Sequence, residues 1–201
     1  RGLGDGYKRQ DLEQYDSFEA EADTETEYQP RGAQIEALYA LKNSRMEGSD
    51  KALICAATGI GKTYLAAFDS QPYKKVLFVA HREEILKQAA ESFRNVRHSD
   101  DYGFFTGKEK TKDKSVIFAS VSSLGKMDYL NEAYFARDYF DYIVIDEFHH
   151  AVTDQYKKIM EYFKPRFLLG LTATPERMDG RNIYAPVSYT HLRAHETKAN
   201  L

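Results

Sequence analysis

Ala57-Thr58-Gly59-Ile60-Gly61-Lys62-Thr63 follows the short apolar run Lys51–Ala56 and leads into Tyr64–Phe68. Two glycines and a Lys-Thr pair at a strand-to-helix junction allow few folds. The chain must turn sharply there and aim backbone N–H groups at one point. Gly59 and Gly61 lack a Cβ, so they can take unusual backbone angles and let a ligand approach closely. The helix starting near Lys62 adds its free N–H groups and positive dipole end, which favours a phosphate. Lys62 can reach the β- and γ-phosphates of a nucleotide, and the Thr63 hydroxyl can ligate Mg²⁺. Thr58, Gly59, Ile60, Gly61, Lys62 and Thr63 are therefore the candidate nucleotide loop. The general pattern has Gly six residues before the Lys, where this chain has Ala56.

Two further runs end in chemistry. Tyr142–Ile145 is wholly apolar and delivers Asp146-Glu147-Phe148-His149. Two carboxylates at the end of a buried strand are costly unless a cation meets them. Asp146 is the candidate Mg²⁺ ligand with Thr63, and Glu147 the candidate base for an attacking water. Catalysis is thus assigned to Glu147, Asp146 and Lys62. His149-His150 as zinc ligands is the alternative, without a wider His/Cys cluster to support it. Phe167–Leu171 ends in Thr172-Ala173-Thr174-Pro175. His149, Thr172 and Thr174 are placed to couple the state of the nucleotide to a bound strand.

The remaining pattern alternates. Pro30 with Ile35, Leu38, Tyr39 and Leu41 predicts a helix ending near Asn43. Val76–Ala80 reads as a strand, Arg82–Phe93 as a helix, and Phe104-Phe105 and Val116–Ala119 as strands around a Lys-rich loop. Short apolar strands alternating with amphipathic helices predict an α/β fold: a mostly parallel sheet with helices on both faces. In such sheets ligands sit beyond the carboxyl ends of the strands, where these motifs lie.

Residues 11–27 carry acidic side chains and no Lys or Arg, so 1–27 reads as a solvated acidic linker. The domain is expected over 28–186. A net charge of −3 confines any nucleic-acid site to a local patch. The single cysteine, Cys55, fits a buried thiol in a reducing, cytoplasmic setting. No apolar stretch approaches a membrane span. Lys108, Lys110, Lys112 and Lys114 alternate with Glu109 and Asp113 and read as a solvated loop.

Taken together these motifs resemble superfamily 2 helicases and translocases of the Asp-Glu-x-His type. The likeness runs from about Tyr28 to Asp179, and the wording Gly170-Leu171-Thr172-Ala173-Thr174-Pro175-Glu176-Arg177 is most similar to type III restriction-enzyme motor subunits. The resemblance implies a RecA-like P-loop lobe that uses ATP and Mg²⁺. It makes Tyr28–Gln34 an adenine-recognising segment, with Arg31 and Gln34 as cofactor residues. It also makes Val79-Ala80-His81-Arg82, Phe105-Thr106-Gly107 and Ser120–Leu124 strand-contacting motifs. The nucleic-acid candidates are His81, Arg82, Thr106, Gly107, Ser122 and Ser123, with DNA as the expected partner and RNA as the alternative. Read without the resemblance, Ser122 and Ser123 also suit a helix cap, and Arg82 an ordinary first turn.

Val187–Thr197 matches one reading frame of a transposase-based sequencing-library adaptor residue for residue. Residues 187–201 are therefore expected to be a non-native tail with few contacts. On that view a second RecA-like lobe is missing and the fragment alone is inactive, while the resemblance allows an upstream nuclease domain, carried by some relatives, with 1–27 as its linker. The competing reading is a P-loop ATPase or nucleotide-binding module that does not act on nucleic acid.

Overall fold

The computed structural model describes residues 27–57, 59–150, 153–173 and the backbone of 188–192. The apolar runs become strands β1 (Lys51–Ala56), β2 (Val76–Ala80), β3 (Tyr102–Phe105), β4 (Val116–Ser120), β5 (Tyr142–Ile145), β6 (Phe167–Thr172) and β7 (Ser188–Leu192). They form one sheet in the order β3-β4-β2-β5-β6-β1-β7. Every ladder joining them is parallel. Every residue of β2, β4 and β5 is buried, which is why these runs are apolar throughout rather than alternating.

Helices α1 (Ala33–Met46), α2 (Lys62–Ser70) and α3 (Glu83–Arg97) cover one face. The short α4 (Val121–Leu124), α5 (Asp154–Tyr162) and the aromatic segment 129–140 cover the other. Two helices outrun their predicted ends for tertiary reasons. α1 passes Asn43 because Ser44 is buried and Arg45 clamps Asp69 of α2 through two 2.7 Å hydrogen bonds. Tyr142 of β5 donates to the same carboxylate at 2.6 Å. α3 passes Phe93 because Val96 completes its buried stripe, and His98 then ends it at a left-handed φ of 48°. α5 escapes a sequence reading because only Tyr156 and Ile159 of its nine residues are buried.

Two expectations need correction. The Lys-rich loop is not simply solvated. Lys110 Nζ lies 5.2 Å from the Phe105 ring centre and Lys112 Nζ 5.1 Å from that of Tyr134, while Lys108 and Lys114 stay exposed. The ring faces attract the ammoniums and the stems cover apolar surface. The expected lack of contacts after Val187 also fails at 188–192, which pairs with β1 from Ala52↔Ser188 to Ala56↔Leu192. A sheet edge offers a row of unpaired N–H and C=O groups, and an extended Ser-Tyr-Thr-His-Leu segment can take them up whatever its origin.

Candidate active site

The strand order brings the carboxyl ends of β5, β6 and β1 side by side. With about 4.8 Å between strands, the residues after β5 and β1 stand about 10 Å apart across β6. The acidic pair, Thr172 and the glycine loop therefore share one end of the sheet.

The loop has the conformation its glycines were expected to permit. Gly59 and Gly61 have φ values of 99° and 76°. Gly61 is further constrained from above, since a Cβ there would come within 2.6 Å of Gln34 Nε2. That amide donates to the carbonyls of Ile60 at 3.0 Å and Gly61 at 3.3 Å, while Gln34 Oε1 accepts from the Arg31 N–H at 3.0 Å. Gln34 is thus tied to the loop through its side chain, and Arg31 only indirectly, through its N–H to Gln34. Lys62 Nζ donates to the Ala56 carbonyl at 3.0 Å, so it folds across the mouth of the loop. Ala56 is 1% exposed, so its Cβ is packed at the position where glycine is usual. Thr63 is half-buried at the start of α2. Thr58 lies outside the described residues.

Opposite the loop, Asp146 is held by its own backbone. Its N–H donates to the Val79 carbonyl at 3.0 Å, and its Oδ1 accepts the Glu147 N–H at 2.9 Å. Burial raises the Asp146 pKa above the ordinary carboxylate range. The Glu147 N–H opposes that shift, the Glu147 carboxylate adds to it, and Lys62 opposes it across the cleft. A carboxylate whose charge is disfavoured, at the end of the sheet that also carries the glycine loop, is suited to take a divalent cation. Glu147 has φ of 51°, a left-handed conformation uncommon for a residue with a Cβ.

His149 Nδ1 lies 3.4 Å from Thr172 Oγ1, so the second and third motifs touch. The arrangement depends on Gly170, where a Cβ would come within 2.7 Å of the Phe148 ring. The missing side chain lets Phe148 lie on the sheet, and the short 3₁₀ turn Phe148–His150 then carries His149 over β6. Sequence reasoning missed Phe148 and Gly170. Their signal was a glycine inside an otherwise apolar strand, which marks close approach of another group. Thr174 lies outside the described residues. Among the described residues no three or more His, Cys, Asp or Glu group into a metal cage. The oxygen donors of Thr63 and Asp146 suit Mg²⁺, which keeps waters and binds phosphate oxygens.

The strand-facing candidates divide. His81, Arg82, Gly107 and Ser122 are exposed at the carboxyl ends of β2, β3 and β4. Thr106 and Ser123 are only 6% and 4% exposed. Thr106 Oγ1 accepts the Lys108 N–H at 3.3 Å and shapes the turn, and Ser123 packs inward from α4. The structure does not bring these two side chains to the surface, because each sits on the core side of its loop or helix.

Residues 27–177 match the family described as type III restriction enzyme, res subunit. The chain belongs to that family. The matched stretch contains the residues of the cleft just described. Among curated relatives, the type I restriction enzyme EcoAI endonuclease subunit of Escherichia coli is 29% identical over 164 residues, covering 73% of this chain and 19% of that protein. The DNA 3'-5' translocase XPB2 of Sulfurisphaera tokodaii is 28% identical over 138 residues, covering 68% of this chain and 30% of that one. This member of the family therefore spans less than a third of the length of those relatives. Its fold is similar to the Sulfolobus solfataricus SWI2/SNF2 ATPase core solved in complex with dsDNA. The TM-score is 0.60 at 20% identity, over 74% of this chain and 33% of that one. The fold is RecA-like.

Proposed function

We propose that the chain is the ATP-binding lobe of an ATP-dependent nucleic-acid helicase or translocase, acting on DNA. The observation that carries this is the convergence of Lys62, Asp146, Glu147 and the His149–Thr172 contact at one end of the sheet. Gln34 and Arg31 hold the adenine end. Lys62 leaves the Ala56 carbonyl for the phosphates, and Thr63 and Asp146 hold Mg²⁺. When bound there, the ion would supply charge neutralisation to the phosphates. Glu147 orients and deprotonates the water, and His149 passes the change to Thr172 and Thr174.

His81, Arg82, Gly107 and Ser122 meet the strand through its backbone, which positions it without reading sequence. A second RecA-like lobe completes the machine by supplying an arginine to the γ-phosphate, a contribution of about 10³–10⁵ in rate. An upstream nuclease domain and a cytoplasmic location belong to the same reading. Among the described residues no helix is long and apolar enough to cross a membrane.

The test is ATP turnover by the complete protein with and without DNA or RNA. Strand-stimulated turnover supports the proposal. Turnover indifferent to any strand would favour the competing P-loop ATPase.

A further inference from the structure

We propose that Tyr156 is a positioning residue for Glu147, its hydroxyl donating a hydrogen bond to that carboxylate once a nucleotide fills the cleft. The inference rests on the reading that Glu147 activates the attacking water.

Tyr156 belongs to the first turn of α5. Just past the far end of that helix, which stops at Tyr162, the Arg166 N–H donates to the Asp141 carbonyl, where β5 and β6 begin. The helix therefore runs back along the sheet, and its first turn stands at the opposite edge, where β5 releases Asp146 and Glu147. The Tyr156 ring is core: the residue is 1% exposed and packs in the cluster that contains Val79, Ile145 and Phe148. Its hydroxyl is not explained by that packing, since among the described residues it has no hydrogen-bond partner. A phenylalanine would fill the same space without burying an unsatisfied oxygen. Buried hydroxyls are ordinarily bonded, so this one calls for a partner in another state of the site.

The acidic pair is within electrical reach. Burial pushes the Tyr156 hydroxyl well above its usual range, and the Glu147 and Asp146 carboxylates push it the same way. The group is thus a donor at every working pH. Glu147 for its part stands on a left-handed backbone, at φ 51°, which is uncommon for a residue that must aim a carboxylate. A fixed donor from the packed helix would hold it in line with the water.

The experiment uses the complete protein with its second lobe and measures strand-stimulated ATP turnover. Tyr156→Phe should lower kcat about tenfold, the order for losing one hydrogen bond to a charged group, while KM for ATP stays within about twofold. In a Glu147→Gln background the same substitution should cause no further fall, because the charge it serves is gone. The thermal midpoint of nucleotide-free Tyr156→Phe should not fall, since no bond is lost in that state. Wild-type kcat in Tyr156→Phe, an equal tenfold loss in the Glu147→Gln background, or a drop in the midpoint would each overturn the inference. Undiminished turnover in Glu147→Gln itself would remove the catalytic reading beneath it. An inactive Glu147→Gln beside a fully active Tyr156→Phe would sink this inference alone.

Discussion

The carboxyl edge of the sheet has two halves that differ in how much of their work is already done. Along β5-β6-β1 the groups hold one another in place: Gln34 on the loop, Lys62 across its mouth, Glu147 N–H on Asp146, and His149 against Thr172. Along β3-β4-β2 the exposed candidates His81, Arg82, Gly107 and Ser122 stand on two loops and the short α4, and two of their companions are buried. The contrast follows from ligand size. On the proposed function the first half takes a nucleotide, which is small and must be met from several sides at once, so preorganisation by the fold suits it. A nucleic-acid strand is long and repetitive, so one-sided contacts spread along a surface suffice. The halves meet at the β2–β5 ladder, where the Asp146 N–H donates to Val79, two residues before His81.

The largest expected effect belongs to the preorganised half. Glu147→Gln in the complete protein should lower kcat about 10³-fold while ATP affinity stays near wild type, because only the water-activating charge is removed. Single-turnover hydrolysis and nucleotide titration together decide this, and retained turnover would dissolve the distinction between the halves. Next comes Lys62→Ala, which should weaken Mg²⁺-ATP binding to this chain about 10–100-fold in calorimetry. Equal affinity in mutant and wild type would remove the nucleotide assignment.

Arg82→Ala addresses the other half and should act more weakly. DNA affinity should drop several-fold regardless of sequence, with a salt dependence shallower by about one phosphate contact, while ATP affinity is unchanged. A loss confined to one sequence would argue against backbone contact.

The smallest effect concerns Asp146 without nucleotide. Its folded-state pKa lies above the unfolded value, so the fold binds the proton more tightly. That advantage is complete below the ordinary carboxylate range and is lost as pH rises through the folded value. At pH 7 the charged group therefore costs stability. Asp146→Asn should raise the thermal midpoint at pH 7, in a melting curve compared with wild type. The gain should fade at pH 3–4, and an undiminished gain there would point to packing instead of charge.

The β5-β6-β1 half was legible in the sequence because each of its parts is local. A glycine loop, an acidic pair and a Thr-Ala-Thr each end an apolar run, and parallel strands bring run ends to one edge. What escaped depended on distant residues. Gly170 matters because of Phe148, and the Lys-rich loop is pinned by Tyr129, Tyr134 and Phe135 from another segment. Thr106 and Ser123 were misplaced because motif spacing does not report which side of a turn faces the core. The last residues of α1 and the whole of α5 are set by neighbours, Asp69 and the β5–β6 face, that no window of sequence contains.

The strand order also has a consequence in time. β1 leads into the glycine loop, yet its ladder partners begin at Leu168 and Ser188, more than a hundred residues later. At about 5–20 residues per second on a ribosome, roughly 5–25 s pass between the synthesis of β1 and the arrival of β6. Through that interval β1 is an apolar strand with both edges open, while β2 and β4 already have each other. The nascent glycine loop is thus among the first parts of the domain to be made and among the last to be seated, and the interval is when the chain most needs protection from pairing with its neighbours on the polysome.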